Sequence, residues 1–180
     1  AIWRAPGLIR DFEALCDAGG RFCGTESEAM ARDMLRERLA EIPGIGRDEY
    51  VFDYEVWGRK TNRVTVLGAN EKTLPCHALI WSKDTPPGGL EAEVIDLGRG
   101  HRADFESAAE LIPGRIALVR QDYPFGADTV HRMVKYRWAR EFGAAGYLLA
   151  YPAPGQLVAT GYCALNIPED IPAAGLAHEG

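Results

Sequence analysis

The chain has 180 residues, 47% hydrophobic, 26% charged and 9% aromatic, proportions that belong to a globular protein and exclude a disordered one. A folded chain of this length buries roughly 70% of its unfolded surface, so neither disulfides nor a structural metal are needed to hold it together. Twenty basic side chains against 26 acidic ones leave a net charge of −6, which argues against a nucleic-acid or anionic-membrane binder and leaves only local basic patches.

In chain order, a first helix is expected from Pro6 to Asp17, because Leu8, Ile9, Phe12, Leu15 and Cys16 recur at helical spacing and Ala18-Gly19-Gly20 stops it. Thr25 and Glu28 have capping-box spacing ahead of the stripe Met30, Met34, Leu35, Leu39 and Ile42, and Pro43-Gly44 ends that second helix. The two helices form a pair joined by the shaped loop Gly20-Arg21-Phe22-Cys23-Gly24. From Glu49 the period becomes two, with Tyr50, Phe52, Tyr54 and Val56 on one face, which predicts a half-buried strand. Short strands follow over 62–67, 76–81 and 92–97, and their close spacing suggests antiparallel pairing. A short helix over 103–111, a strand over 115–120 and a helix over 128–142, with Gly143 at its C′ position, come next. Strands over 146–150 and 171–176 enclose a long Pro- and Gly-rich loop, Tyr151 to Pro168. The expected class is α+β, with a helical segment over 1–48 and a second domain over 49–180.

Sequence offers little catalytic chemistry. His77 reads as a core or edge strand residue, His131 sits beside Arg132 and Lys135, and His101 is followed by Asp104 at the wrong interval for a His-x-Asp metal pair. His178-Glu179 begins the HExxH pattern, but that pattern's second histidine would fall beyond Gly180. The pairs Glu26 and Glu28, Glu91 and Glu93, and Glu169 and Asp170 read as solvated carboxylates. The cysteines Cys16, Cys23, Cys76 and Cys163 are too scattered for a disulfide framework and are expected as mostly buried thiols, with Cys23 the best placed as a nucleophile but lacking a base nearby. Arg132, Lys135, Arg137 and Arg140 form one basic helical patch, read as a solvated face, while Val130, Met133, Val134, Trp138 and Phe142 have core spacing. No Gly-x-Ser-x-Gly elbow, Walker sequence or GxGxxG fingerprint occurs. The apolar run 144–151 is far short of the ~20 residues of a membrane span. The amino terminus has no basic region followed by an apolar run, so the sequence assigns no compartment; a signal removed earlier would fit export or the periplasm.

Gly114-Arg115-Ile116-Ala117-Leu118-Val119, then a helix ending Glu141-Phe142-Gly143-Ala144-Ala145-Gly146 and the strand Tyr147-Leu148-Leu149-Ala150, resembles the protease-associated (PA) domain. Ile171-Pro172-Ala173-Ala174-Gly175-Leu176 is similar to that domain's closing segment and 94–100 to its opening strand and turn, so the likeness covers about 74–180. Upstream, the two helices and Gly20 to Thr25 are similar to the entry segment of secreted zinc aminopeptidases and glutamate-carboxypeptidase-like proteins, in which a PA domain is inserted ahead of a two-zinc catalytic domain. The resemblance implies an open β-barrel or sandwich with flanking helices, acting as a non-catalytic lid or interaction module. It implies no cofactor in this chain, two zinc ions in the catalytic domain of the wider hydrolase, and a catalytic peptidase domain or a second copy as partner. After Val119 the family's Arg-Gly becomes Arg120-Gln121-Asp122, and Tyr123-Pro124-Phe125-Gly126 is extra. Contacts to a peptide or protein substrate are expected at Asp122, Tyr123, Phe125, Tyr151 and Tyr162, on loop position alone. Two alternatives stand beside this reading. In one, the protein is the full metallopeptidase and this chain, from Ala1 to Gly180, an excised piece; in the other, it is a free-standing peptide- or protein-binding domain.

Overall fold

A computed structural model describes residues 6–123, 126–164 and 166–179. The chain divides into two compact units, Ala1–Val56 and Trp57–Gly180.

The first unit contains α1, Pro6–Asp17, and α2, Glu26–Ala40. The α2 start follows from its sequence: Thr25 has extended backbone angles and its Oγ1 accepts from the Glu28 N–H at 3.3 Å, satisfying an amide that the helix itself leaves without a partner. Arg38 pairs with Asp11 at 3.0 Å, tying α2 to α1. Apolar packing is slight. Ala31 is the only buried residue among the described residues of this unit, while Phe12 is 64% exposed and Leu8, Ile9, Met30, Leu35 and Leu39 are exposed beside it.

The strand expected from Glu49 does not form. Residues 45–63 have no regular element, and Tyr50 and Val51 are 89% and 94% exposed. The alternation is real, since the Phe52 and Tyr54 rings approach to 6.0 Å. Among the described residues nothing pairs with this stretch, and a lone strand leaves its amides and carbonyls without a ladder.

The second unit begins with an antiparallel ribbon of β1, Val64–Val66, and β2, Lys72–Leu74. β2 was not foreseen, because Glu71-Lys72-Thr73 lacks apolar alternation. The main sheet holds β3, Cys76–Ala78, β4, Val94–Asp96, β5, Ile116–Arg120, β6, Gly146–Ala150, and β7, Ala173–Leu176, in the order β3-β7-β6-β5-β4. Strands β4 to β7 are mutually parallel and only β3 runs the other way, on one edge. Antiparallel pairing therefore holds for the ribbon and for β3 but not for β4. The chain between β4 and β5 carries α3, Arg102–Ser107, and that between β5 and β6 carries α4, Arg132–Glu141, and crossovers of this kind are what parallel neighbours require. The sheet has two separate edges and does not close into a barrel.

The core lies between sheet and helices. Phe105 of α3 meets Trp138 and Phe142 at 5.9 Å each, and Tyr136 of α4 meets Tyr147 of β6 edge-on at 5.5 Å. α4 starts four residues later than expected, because Asp128 has φ +56 and His131 becomes the N-cap, its Nδ1 accepting from the Met133 N–H at 3.3 Å. Gly143 has the positive φ, 80°, of a helix C′ residue.

Three expectations about polar groups and thiols are corrected here. The basic patch on α4 is not a solvated face: Lys135 is fully buried, Arg140 pairs with Asp170 at 2.9 Å and Arg132 donates to the Tyr162 carbonyl at 2.9 Å, leaving Arg137 exposed. Asp170 is not a solvated carboxylate either; it is buried and accepts from the Tyr136 hydroxyl at 3.1 Å and the Ile167 N–H at 3.0 Å. Of the free cysteines, Cys16 and Cys23 are exposed and only Cys163 is buried.

Candidate functional site

Because β4 to β7 are parallel, their carboxyl ends lie on one side of the sheet, and the loops leaving them converge there. That end lies outside the strands' carboxyl termini, with no reversal of strand order among β4 to β7 to open a switch-point crevice. In this protein it carries a cleft of about 550 Å³. Arg99 follows β4, Arg120 and Gln121 end and follow β5, Tyr151 follows β6 and His178 follows β7.

The cleft rests on a buried ion pair. Asp122, 7% exposed at its side chain, accepts from Lys135 Nζ at 2.9 Å, with the Lys135 side chain at 0% exposure. The same carboxylate accepts from the Val130 N–H at 3.0 Å and from Arg99 Nε at 3.0 Å, and Lys135 Nζ also donates to the Arg120 carbonyl at 2.8 Å. Burial by itself raises the pKa of Asp122, but the hydrogen bonds from Lys135, Val130 and Arg99 outweigh it and hold the carboxyl at about 2. Burial pushes Lys135 down, opposed by Asp122. Gly100, at φ +65, lets the chain pass under this pair; a Cβ there would meet Val119 and Lys135.

Of the expected contact residues, Asp122, Tyr123 and Tyr151 are brought together in this cleft. Tyr162 is placed elsewhere, in an isolated bridge with Ile80, and Phe125 lies outside the described residues. Sequence reasoning missed Arg99, Arg120, Gln121 and Lys135. No helical pattern in the sequence marks Lys135, whose partner Asp122 lies 13 residues earlier on a loop.

The remaining candidates fall apart. His77 is exposed on the edge strand β3 and His131 serves as a cap. Cys23 is exposed with the Tyr54 phenol against it, a contact that raises the phenol's pKa and supplies no base. Among the described residues no three His, Cys, Asp or Glu side chains gather to hold a metal ion. The nearest approach, His101 Nε2 to Asp122 at 4.0 Å, has the Lys135 ammonium on the same carboxylate oxygen, a poor setting for a second cation. A second concavity, about 350 Å³, is lined by Trp57, Trp81, Lys83 and Asp170. Its Lys83 is engaged with the Pro168 carbonyl and its Asp170 with Arg140. Among the described residues no helix is long and apolar enough to cross a membrane.

No family model and no curated protein matches the sequence. Solved structures do match. A zinc aminopeptidase from Bacillus subtilis superposes with a TM-score of 0.62 at 18% identity over 94% of this chain and 38% of that one. An aminopeptidase from Aneurinibacillus sp. strain AM-1 gives 0.61 at 19% identity, over 94% and 38%. A peptidase M28 precursor from Shewanella amazonensis SB2B gives 0.64 at 21% identity, over 93% and 41%. Identities at this level show a shared fold, and the chain spans about two fifths of the length of these structures.

Proposed function

We propose that this chain is the accessory, non-catalytic part of a zinc-dependent aminopeptidase-like hydrolase: a PA-type domain that shapes access to the active site, led by a helical segment that docks on the catalytic part. The observation that carries this reading is the partial span: the chain matches zinc aminopeptidases along nearly its whole length yet reaches only about two fifths of theirs. The helical segment supports it. Its two helices leave Phe12, Leu35 and Leu39 in solvent, and apolar surface of that extent on so small a unit is what a helix pair shows when its packing partner is another part of the assembly. A lid of this kind acts by gating entry and shaping the mouth of a cleft built by another domain.

Zinc content and aminopeptidase turnover of the purified chain, with metal added back, test the reading. The expected result is no stoichiometric zinc and no turnover. Tight zinc with peptide cleavage would overturn it and make the chain an enzyme in its own right.

A further inference from the structure

We propose that the cleft at the carboxyl edge of the sheet binds a carboxylate, presented by an acidic peptide side chain or by a free chain terminus, through Arg120 with Arg99 beside it. The inference takes this cleft as the contact site of the module; it does not depend on peptidase activity.

Two arginines, Arg99 and Arg120, and one carboxylate, Asp122, line the cleft of a chain whose net charge is −6, with Asp96 at its rim against Arg120. The one carboxylate in its wall, Asp122, is turned inward and neutralised from behind by Lys135 at 2.9 Å, so it does not oppose an incoming anion. Arg99 engages Asp122 through Nε at 3.0 Å, and its Nη2 makes only a long 3.4 Å contact with the Asp128 carbonyl. Arg120 is freer still: its side chain is 62% exposed and its ion pair with Asp96 is loose, 3.6 Å. A guanidinium so weakly engaged gains from a carboxylate that can take two parallel N–H donors.

Arg120 is the last residue of β5, its N–H donating to the Gly98 carbonyl at 2.8 Å and its carbonyl accepting from Lys135 at 2.8 Å. The stem of the side chain therefore starts from a fixed point, which limits the ordering cost of binding. Adjacent Gln121 extends the ladder by donating to the Ala150 carbonyl at 2.9 Å, and its side-chain Oε1 is buried with no partner among the described residues. Tyr123, Tyr151 and Pro152 provide apolar cover for the stem of a carboxylate group. The volume, about 550 Å³, lies within the ~300–1,000 Å³ common for ligand sites.

Calorimetric titration of the whole chain with three acetylated tripeptides tests this: Ala-Glu-Ala amide, Ala-Gln-Ala amide and Ala-Ala-Ala with a free carboxyl terminus. The expected result is that at least one acid binds roughly tenfold or more tighter than the neutral amide, the difference of one charge-assisted contact. The arm that binds tells a side-chain carboxylate from a chain terminus. Arg120→Gln should remove that advantage, while Arg137→Gln, on the exposed face of α4, should keep it. Equal binding of acid and amide, no binding of either acid at millimolar concentration, or an unchanged Arg120→Gln variant would each overturn the proposal. Zinc and turnover in the chain would sink the accessory reading and leave this result standing, so the two fail separately.

Discussion

Asp122→Asn keeps the shape of a side chain that is 7% exposed and removes its charge, leaving the fully buried ammonium of Lys135 without its anion. Breaking a buried pair from one side costs about 3–5 kcal/mol, and because asparagine still offers an oxygen to the Val130 N–H, the low end applies, about 3 kcal/mol. A second route gives a similar figure. The carboxyl lies at about 2 against an ordinary 3.8, which at ~1.36 kcal/mol per pKa unit corresponds to about 2.5 kcal/mol at neutral pH. For a unit of about 120 residues, the unfolding entropy is roughly 0.25 kcal/mol per degree, so Tm should fall by about 10 °C. The sign with pH is fixed: the folded pKa lies below the unfolded one, so the contribution is complete above about pH 4 and is lost as pH falls toward 2. Urea unfolding followed by tryptophan fluorescence, at pH 7 and at pH 3, measures both effects. Lys135→Met combined with Asp122→Asn should be more stable than the two single losses sum to, by about 2 kcal/mol. A loss under about 1 kcal/mol at pH 7, a pH-independent difference, or simple additivity would refute the reasoning.

Three other outcomes follow from the fold. Gly175→Ala should destabilise by more than about 2 kcal/mol in urea, because its Cβ would run into the Ala159 backbone carbonyl where that segment crosses β7; an unchanged midpoint would contradict that crossing. His131 is lowered by burial and by Arg132, so the cap it gives α4 is complete above about pH 6.5 and is lost as pH falls below it. His131→Asn should keep the cap and flatten the stability profile between pH 5 and 7, whereas His131→Ala should cost about 1 kcal/mol at pH 7.5. Against a thiol reagent, Cys16 and Cys23 should react at once in the folded chain, while Cys163, buried and pushed up to about 12, should react only on unfolding; prompt labelling of Cys163 would place it wrongly.

Where the sequence carried a strong local signal, it located the structure. Thr25 with Glu28, the stop at Ala18-Gly19, and the Gly-flanked apolar runs around Ile116 and Tyr147 mark element ends and types locally, so α1, α2, β5 and β6 were legible from a few neighbouring residues. Periodicity was less informative about what covers a face. Tyr50 to Val56 alternates like a strand yet lies in solvent, because alternation does not supply a partner strand. The Lys135 ammonium is inside because Asp122, 13 residues earlier on a loop, waits for it, and no helical pattern encodes that meeting. For the same reason the cleft was half legible: loop position pointed to Asp122, Tyr123 and Tyr151, but the arginines came into view only with the parallel strand order.

That order also governs how the second unit can be made. β7 sits between β6 and β3, and its register sets Leu176 opposite Cys76, a hundred residues upstream. Contacts of such separation form slowly, because the entropy of closing the intervening chain is lost before the strands reward it. While a ribosome is still short of residue 176, β3 has no neighbour and β6 presents an open hydrogen-bonding edge to whatever is near. The nascent second unit is therefore exposed to wrong pairing until β7 has emerged, and expression at low temperature or with a holding chaperone should raise the soluble yield.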